Sequence, residues 1–133
     1  MGYTHYWRTH RDFTEEEWFE IRIAAVALFN FVEEPIVAGW NGKGKPEADK
    51  DHIAFNGVGD YDSHESMVLT RVRKGKPEWM SQAEYDDHGE FNCCKTAHKP
   101  YDKIVVKLLK LVKKIAPYAI TLSSDGDVFE DVA

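Results

Sequence analysis

Three basic or potentially basic side chains crowd one short segment, Lys95-Thr96-Ala97-His98-Lys99-Pro100, just ahead of a run with helical periodicity. A helix N-terminus carries partial positive charge and unpaired N–H groups, so acidic or hydroxyl residues normally stand there. Lys95, His98 and Lys99 at that end cost stability unless an anion relieves them. A phosphate or carboxylate would do so, helped by the Thr96 hydroxyl and the helix amides. The competing expectation is that Asp102 or another acidic side chain neutralises the cluster, or that the lysines extend into water.

Three further segments carry groups capable of chemistry. Tyr3-Thr4-His5-Tyr6-Trp7-Arg8 reads as a strand in which Tyr3, His5 and Trp7 share one face and Thr4, Tyr6 and Arg8 the other. One face meets a core, and the other could stack against a base or sugar, with Tyr101 completing that surface. In Gly59-Asp60-Tyr61-Asp62-Ser63-His64-Glu65, an extended chain would align Asp60, Asp62 and His64 as a divalent-metal set. His64 beside Glu65 is an acid–base pair in the same reading, although the glycine, Asp and Ser content describes a plain turn equally well. Ser124-Asp125-Gly126 places a hydroxyl and a carboxylate at a strand end, in a strong turn signal. Asn56-Gly57 is a turn signal of the same kind. The sequence contains no H-E-x-x-H, no G-x-S-x-G, no phosphate-binding loop and no dinucleotide fingerprint.

Two helices and a set of short strands must position these groups. A helix over 14–34 opens on Thr14, with Glu17 three residues on to complete a capping box. Phe13 and Trp18 have the spacing of a hydrophobic staple, and Pro35 ends the run. Ile21, Ala24, Ala25, Leu28, Phe29 and Val32 follow the helical period. A second helix over 100–116 starts at Pro100 and buries Tyr101, Ile104, Val105, Leu108, Leu111, Val112 and Ile115. Its lysines line the wet side. Extended runs fall at 2–8, 36–40, 52–58, 66–73, 91–96 and 118–123, with loops at 41–51 and 74–89. The order β-α-β-β-β-β-α-β predicts an α+β fold: one domain, a mainly antiparallel sheet, and two amphipathic helices packed on one face.

The chain has 133 residues, 43% of them hydrophobic and 13% aromatic. A chain of this length buries roughly two-thirds of its unfolded surface, enough for a core without staples. The formal net charge of −6 argues against a nucleic-acid-coating face, so duplex binding is not expected. No stretch approaches the roughly 18–20 apolar residues of a membrane span, and the first ten residues lack the pattern of a signal peptide. Cys93 and Cys94 are adjacent and lack zinc or redox spacing, so two reduced thiols are expected.

The opening Met-Gly-Tyr-Thr-His-Tyr-Trp resembles that of a family of small proteins from bacteriophages and prophage-bearing bacteria. The resemblance continues through Phe55-Asn56-Gly57, Asp62-Ser63-His64-Glu65, Cys94-Lys95-Thr96-Ala97, Lys99-Pro100-Tyr101-Asp102 and Ser124-Asp125-Gly126. An arginine often stands in the family where this chain has His98. The resemblance implies a phage-type protein of the bacterial cytoplasm whose polar and aromatic segments form one pocket. By analogy with phage proteins that sequester nucleotide signals, the leading expectation is a binding protein for a phosphate-bearing, nucleotide-like small molecule. Lys95, Thr96, His98 and Lys99 would hold the anion, Tyr3, His5, Trp7 and Tyr101 would pack on the base or sugar, and Asp102, Ser124 and Asp125 would complete the set. One alternative is a hydrolase acting on such a ligand through His64 and Glu65, with a divalent metal on Asp60, Asp62 and His64. Another is an inhibitor of a host protein, docking by the aromatic strand or the loop around Trp79 and Tyr85. The identity of the ligand, any cofactor and the oligomeric state, a homo-oligomer included, stay open.

Overall fold

The computed structural model describes residues 3–30 and 36–132. Thr14 caps the first helix, α1 (Glu15–Phe29), by the expected reciprocal pair: its hydroxyl accepts from the Glu17 N–H, and the Glu17 carboxylate accepts from the Thr14 N–H. Arg11 grips the same carboxylate through both terminal nitrogens, at 2.8 and 3.0 Å. Phe13 and Trp18 are buried with ring centroids 5.9 Å apart, which is the staple. Positions 31–35 of the expected helix and its stop lie outside the described residues. Trp18, Ile21 and Ala25 are buried, but Phe19, Ile23 and Val26 on the opposite side are 62, 55 and 47% exposed.

Six strands follow or precede the helices: β1 (Thr4–Thr9), β2 (Glu47–Ala48), β3 (His52–Phe55), β4 (Met67–Thr70), β5 (Glu90–Lys95) and β6 (Ile120–Ser124). They form two three-stranded antiparallel sheets, ordered β5-β1-β6 and β2-β3-β4. The expected α+β class and single domain hold, and the one expected sheet is two. The meander β2-β3-β4 is built from neighbours in sequence. The other sheet gathers strands from the start, the middle and the end of the chain around β1. The expected strand at 36–40 is reduced to an isolated bridge, Ala38 to Asn56, followed by a 3-10 turn at Trp40–Gly42. Two short helices stand where loop or extended chain was expected, α2 (Gly59–Asp62) and α3 (Gln82–His88).

The last helix, α4 (Asp102–Ile115), begins two residues later than its proline suggests. Ile104, Val105, Leu108, Leu109 and Val112 form its buried stripe and pack with α1 into the shared core. Lys113 bends back to donate to the carbonyls of Pro117 and Ile120, tying the helix end to the entry of β6. Among the described residues no helix is long and apolar enough to cross a membrane.

Candidate functional site

The register of the first sheet lines up three polar side chains on its inner face. His5 on β1 stands opposite Cys94 on β5 and Ser124 on β6, and residues directly opposite in an antiparallel pair share a face. Burial alternates along β1 as the pleat requires, with His5, Trp7 and Thr9 enclosed and Arg8 exposed. The first residue of α4, Asp102, comes down onto this row. His5 Nε2 lies 2.6 Å from Asp102 Oδ1, and His5 Nδ1 lies 2.9 Å from Ser124 Oγ. Thr96, fully buried, donates its hydroxyl to the same Asp102 oxygen at 2.5 Å.

These contacts fix the proton between His5 and Asp102. Burial pushes the Asp102 carboxyl up, but the hydrogen bonds from His5 and Thr96 outweigh it and hold the group below the ordinary carboxylate range. An ionised Asp102 only accepts. His5 Nε2 therefore carries a proton and donates it to Asp102, and in the neutral ring the Nδ1 lone pair is left to accept from the Ser124 hydroxyl. Ser124 Oγ in turn accepts from the Gly126 N–H at 3.2 Å. Asp125 pins the same turn by accepting from the Thr4 N–H and the Tyr6 hydroxyl.

A second layer surrounds the entry to α4. Ala97 and His98 are both left-handed, with φ of 52° and 59°. Each such residue costs about 1–2 kcal/mol without the freedom of glycine. The surroundings enforce the turn. The Tyr3 carbonyl accepts from the N–H groups of Thr96 and Ala97, and the Tyr3 ring stacks on His98 at 3.8 Å and 16°. The same ring meets the edge of His5 at 4.9 Å, and its hydroxyl lies where any side chain on Gly126 would fall.

The loop between β3 and β4 closes against this turn. Asn56 is fully buried and clamps the loop through both ends of its amide. Nδ2 donates to the His64 carbonyl and Ser66 Oγ, while Oδ1 accepts from the N–H groups of Gly57 and His64. A Cβ on Gly57 would sit 1.8 Å from the Asp62 carbonyl oxygen and 3.0 Å from the Tyr101 ring, so the loop packs there only because the side chain is absent. Glu65 then bridges to β5: its carboxylate accepts from the Lys95 N–H at 2.7 Å, its own N–H donates to the Lys95 carbonyl, and its carbonyl accepts from the Tyr101 hydroxyl at 2.6 Å. Lys99 Nζ lies 5.4 Å from the ring of Tyr61, which is 87% exposed.

The structure thus brings the segments at 3–5, 56–65, 95–102 and 124–126 into one neighbourhood, but it assigns several side chains differently from the sequence expectation. His5, Trp7 and Tyr101 are 0, 1 and 0% exposed, so none of them offers a face for stacking. The inward face of β1 is the aromatic one, and it is spent on the core. Tyr3 is half-buried under His98. Thr96 is turned to Asp102 rather than outward, and Asp102 partly relieves the positive helix end. Lys95 and Lys99 are half-buried and His98 is exposed. Asp60 and Asp62 lie in the helical turn α2, where alternate residues do not share a face. Among the described residues no group of three His, Cys, Asp or Glu side chains could hold a metal ion. The Glu65 carboxylate accepts from the Lys95 N–H rather than from the exposed His64. Tyr85 is buried, its hydroxyl donating to Glu90 and its ring covered by Arg73 at 4.1 Å, so of the two aromatic residues expected in a docking loop only Trp79 is exposed.

Sequence reasoning missed the partnership of Ser124 with His5, since it depends on strand register, and the role of Asn56, whose Asn-Gly pair reads as a turn. It also passed over Tyr61 as an exposed ring. The fold and site together define a small α+β protein with a part-buried His–Asp–Ser network beneath a strained basic turn. No protein-family model matches the chain, nor does any curated protein or solved structure.

Proposed function

We propose that the protein binds a phosphate-bearing, nucleotide-like small molecule at the turn opening α4, as a phage-type protein of the bacterial cytoplasm. The observation that carries this reading is the pair of left-handed residues Ala97 and His98, set among Lys95, His98 and Lys99 at the positive end of a helix. Conformational strain in non-glycine residues persists where the surroundings over-determine it, and it gathers at ligand clamps. Here Tyr3, Thr96 and the Glu65 bridge supply that framework. Lys95 and Lys99 supply cationic donors for the anion, and His98 a ring N–H. The exposed ring of Tyr61, beside Lys99, takes the stacking role that the buried Trp7 and Tyr101 cannot.

A thermal-shift panel tests it: inorganic phosphate, sugar phosphates, mononucleotides and cyclic dinucleotides against the wild type, Lys99→Ala and Tyr61→Ala. A ligand at a hundred times its dissociation constant adds about 2.7 kcal/mol of stability, or several degrees for a domain of this size. The expected result is a shift with a phosphate compound that Lys99→Ala abolishes and Tyr61→Ala weakens. No shift across the panel, or one untouched by Lys99→Ala, rejects the site.

A further inference from the structure

We propose that Ser124 is a nucleophile, activated by His5 as general base, and that it attacks a phosphoester bond of the ligand held at the Lys95–Lys99 turn. This extends the binding reading above from sequestration to turnover. A serine hydroxyl is inert unless a base takes its proton as it attacks, and the base must be held in the right tautomer and orientation by a third group. All three requirements meet here. Ser124 Oγ is 2.9 Å from His5 Nδ1, and Asp102 Oδ1 is 2.6 Å from His5 Nε2. The Thr96 hydroxyl locks the carboxylate against rotation. Asp102 and Thr96 are positioning residues.

A structural histidine in a core needs its two nitrogens satisfied, and an amide or a backbone carbonyl does that without a charge. Here a carboxylate faces one nitrogen and a serine hydroxyl the other. Ser124 is half-buried while His5 is not exposed at all, so a substrate meets the serine end of the relay. Tyr3 links the relay to the basic turn, since one ring touches both His98 and His5. Gly126 leaves room for that ring beside Ser124.

In the first half-reaction the Ser124 Oγ–P bond forms, the ester P–O bond on the opposite side of phosphorus breaks, the serine proton passes to His5 Nδ1, and the departing alkoxide takes a proton from solvent water, leaving hydroxide. In the second, a water on that opposite side attacks phosphorus and gives its proton to the hydroxide. The Ser124 Oγ–P bond breaks and the serine recovers its proton from His5, leaving an alcohol and a phosphate. His98 and Lys99 bear the charge on the phosphoryl oxygens.

A fluorophosphonate probe reads the nucleophile without knowledge of the substrate, because attack forms the same Oγ–P bond and expels fluoride. The expected result is one adduct, mapped by peptide mass spectrometry to Ser124, absent in Ser124→Ala. Asp102→Asn should slow labelling about a hundredfold or more and alter its pH profile, which a merely structural role would not do. Ser124→Cys should move reactivity at that position from the fluorophosphonate to iodoacetamide. Nitrophenyl phosphate mono- and diesters then report turnover, lost in Ser124→Ala. Absence of an adduct at Ser124 in folded wild type, or unchanged nitrophenolate release in Ser124→Ala, overturns the inference. A phosphate-dependent thermal shift without labelling rejects the nucleophile and leaves the binding reading standing. Labelling without any such shift upholds the nucleophile and rejects the binding reading.

Discussion

Replacing Asn56 with alanine removes four hydrogen bonds at one stroke. The side chain is fully enclosed and serves two N–H donors, one carbonyl and one hydroxyl, at 2.7 to 3.1 Å. An ordinary intramolecular hydrogen bond contributes about 1 kcal/mol net, and a buried group left unpaired costs roughly 1–3 kcal/mol. His64 is exposed, so its N–H and carbonyl can turn to water. Gly57 is buried, and its N–H has no such escape. The sum is a loss of about 3 kcal/mol, equivalent to roughly 10 °C in a domain of this length. Urea unfolding at neutral pH should show a lower midpoint with an unchanged slope. Amide exchange should accelerate first at Gly57, His64 and Glu65, because the clamp holds that loop against β5. A loss below about 1 kcal/mol, or an exchange pattern spread evenly over the fold, would refute the assignment of the loop's order to Asn56.

Two glycine exchanges should act in opposite directions. Ala97→Gly relieves a left-handed alanine and, against the greater freedom of glycine in the unfolded chain, should raise stability by roughly 0.5–1 kcal/mol; a fall in the urea midpoint would contradict the strain. Gly57→Ala forces a methyl group to 1.8 Å from the Asp62 carbonyl oxygen and should cost about 3 kcal/mol, with the loss read in the same unfolding assay. The Glu17 carboxyl is lowered from 4.5 to about 2, chiefly by the hydrogen bond from Arg11. A depressed carboxyl stabilises above its unfolded value and loses that contribution as pH falls towards its folded one. Glu17→Gln should therefore be less stable than wild type at neutral pH, with the difference closing between pH 4.5 and 2 in thermal melts; a gap that persists at pH 2 would be evidence against the pairing.

What the sequence made legible was local. Thr14 and Glu17 sit three residues apart, and Phe13 and Trp18 five, so the start of α1 needed nothing from elsewhere in the chain. The stripe of α4 is likewise a matter of spacing, although Leu109 rather than Leu111 is its enclosed member. Helix α3 carried the same spacing in Ser81 and Glu84: the Ser81 hydroxyl accepts from the Glu84 N–H and donates to the Glu84 carboxylate, and Gly89 ends the helix at φ 80°. The glycine, proline and polar residues around it read as a loop. The site was visible only as separate segments. Lys95, His98 and Lys99 stand out by charge, but His5, Asp102 and Ser124 meet through a strand pairing and a helix approach spanning almost the whole chain. No spacing rule reaches that far. The division into two sheets was hidden for the same reason.

The adjacent cysteines supply an intrinsic clock for opening of the fold. Cys93 is exposed, whereas Cys94 is wholly enclosed and burial pushes its thiol up to about 12. A thiol reagent in excess will consume one equivalent at the rate of an accessible side chain. The second equivalent waits until β5 leaves its neighbours, so the interval between the two phases reports how often the inner face of the sheet is bared. Because Cys94 flanks His5 directly across the strands, the slow phase times the exposure of the very layer on which Asp102 and Ser124 converge, without any label being introduced.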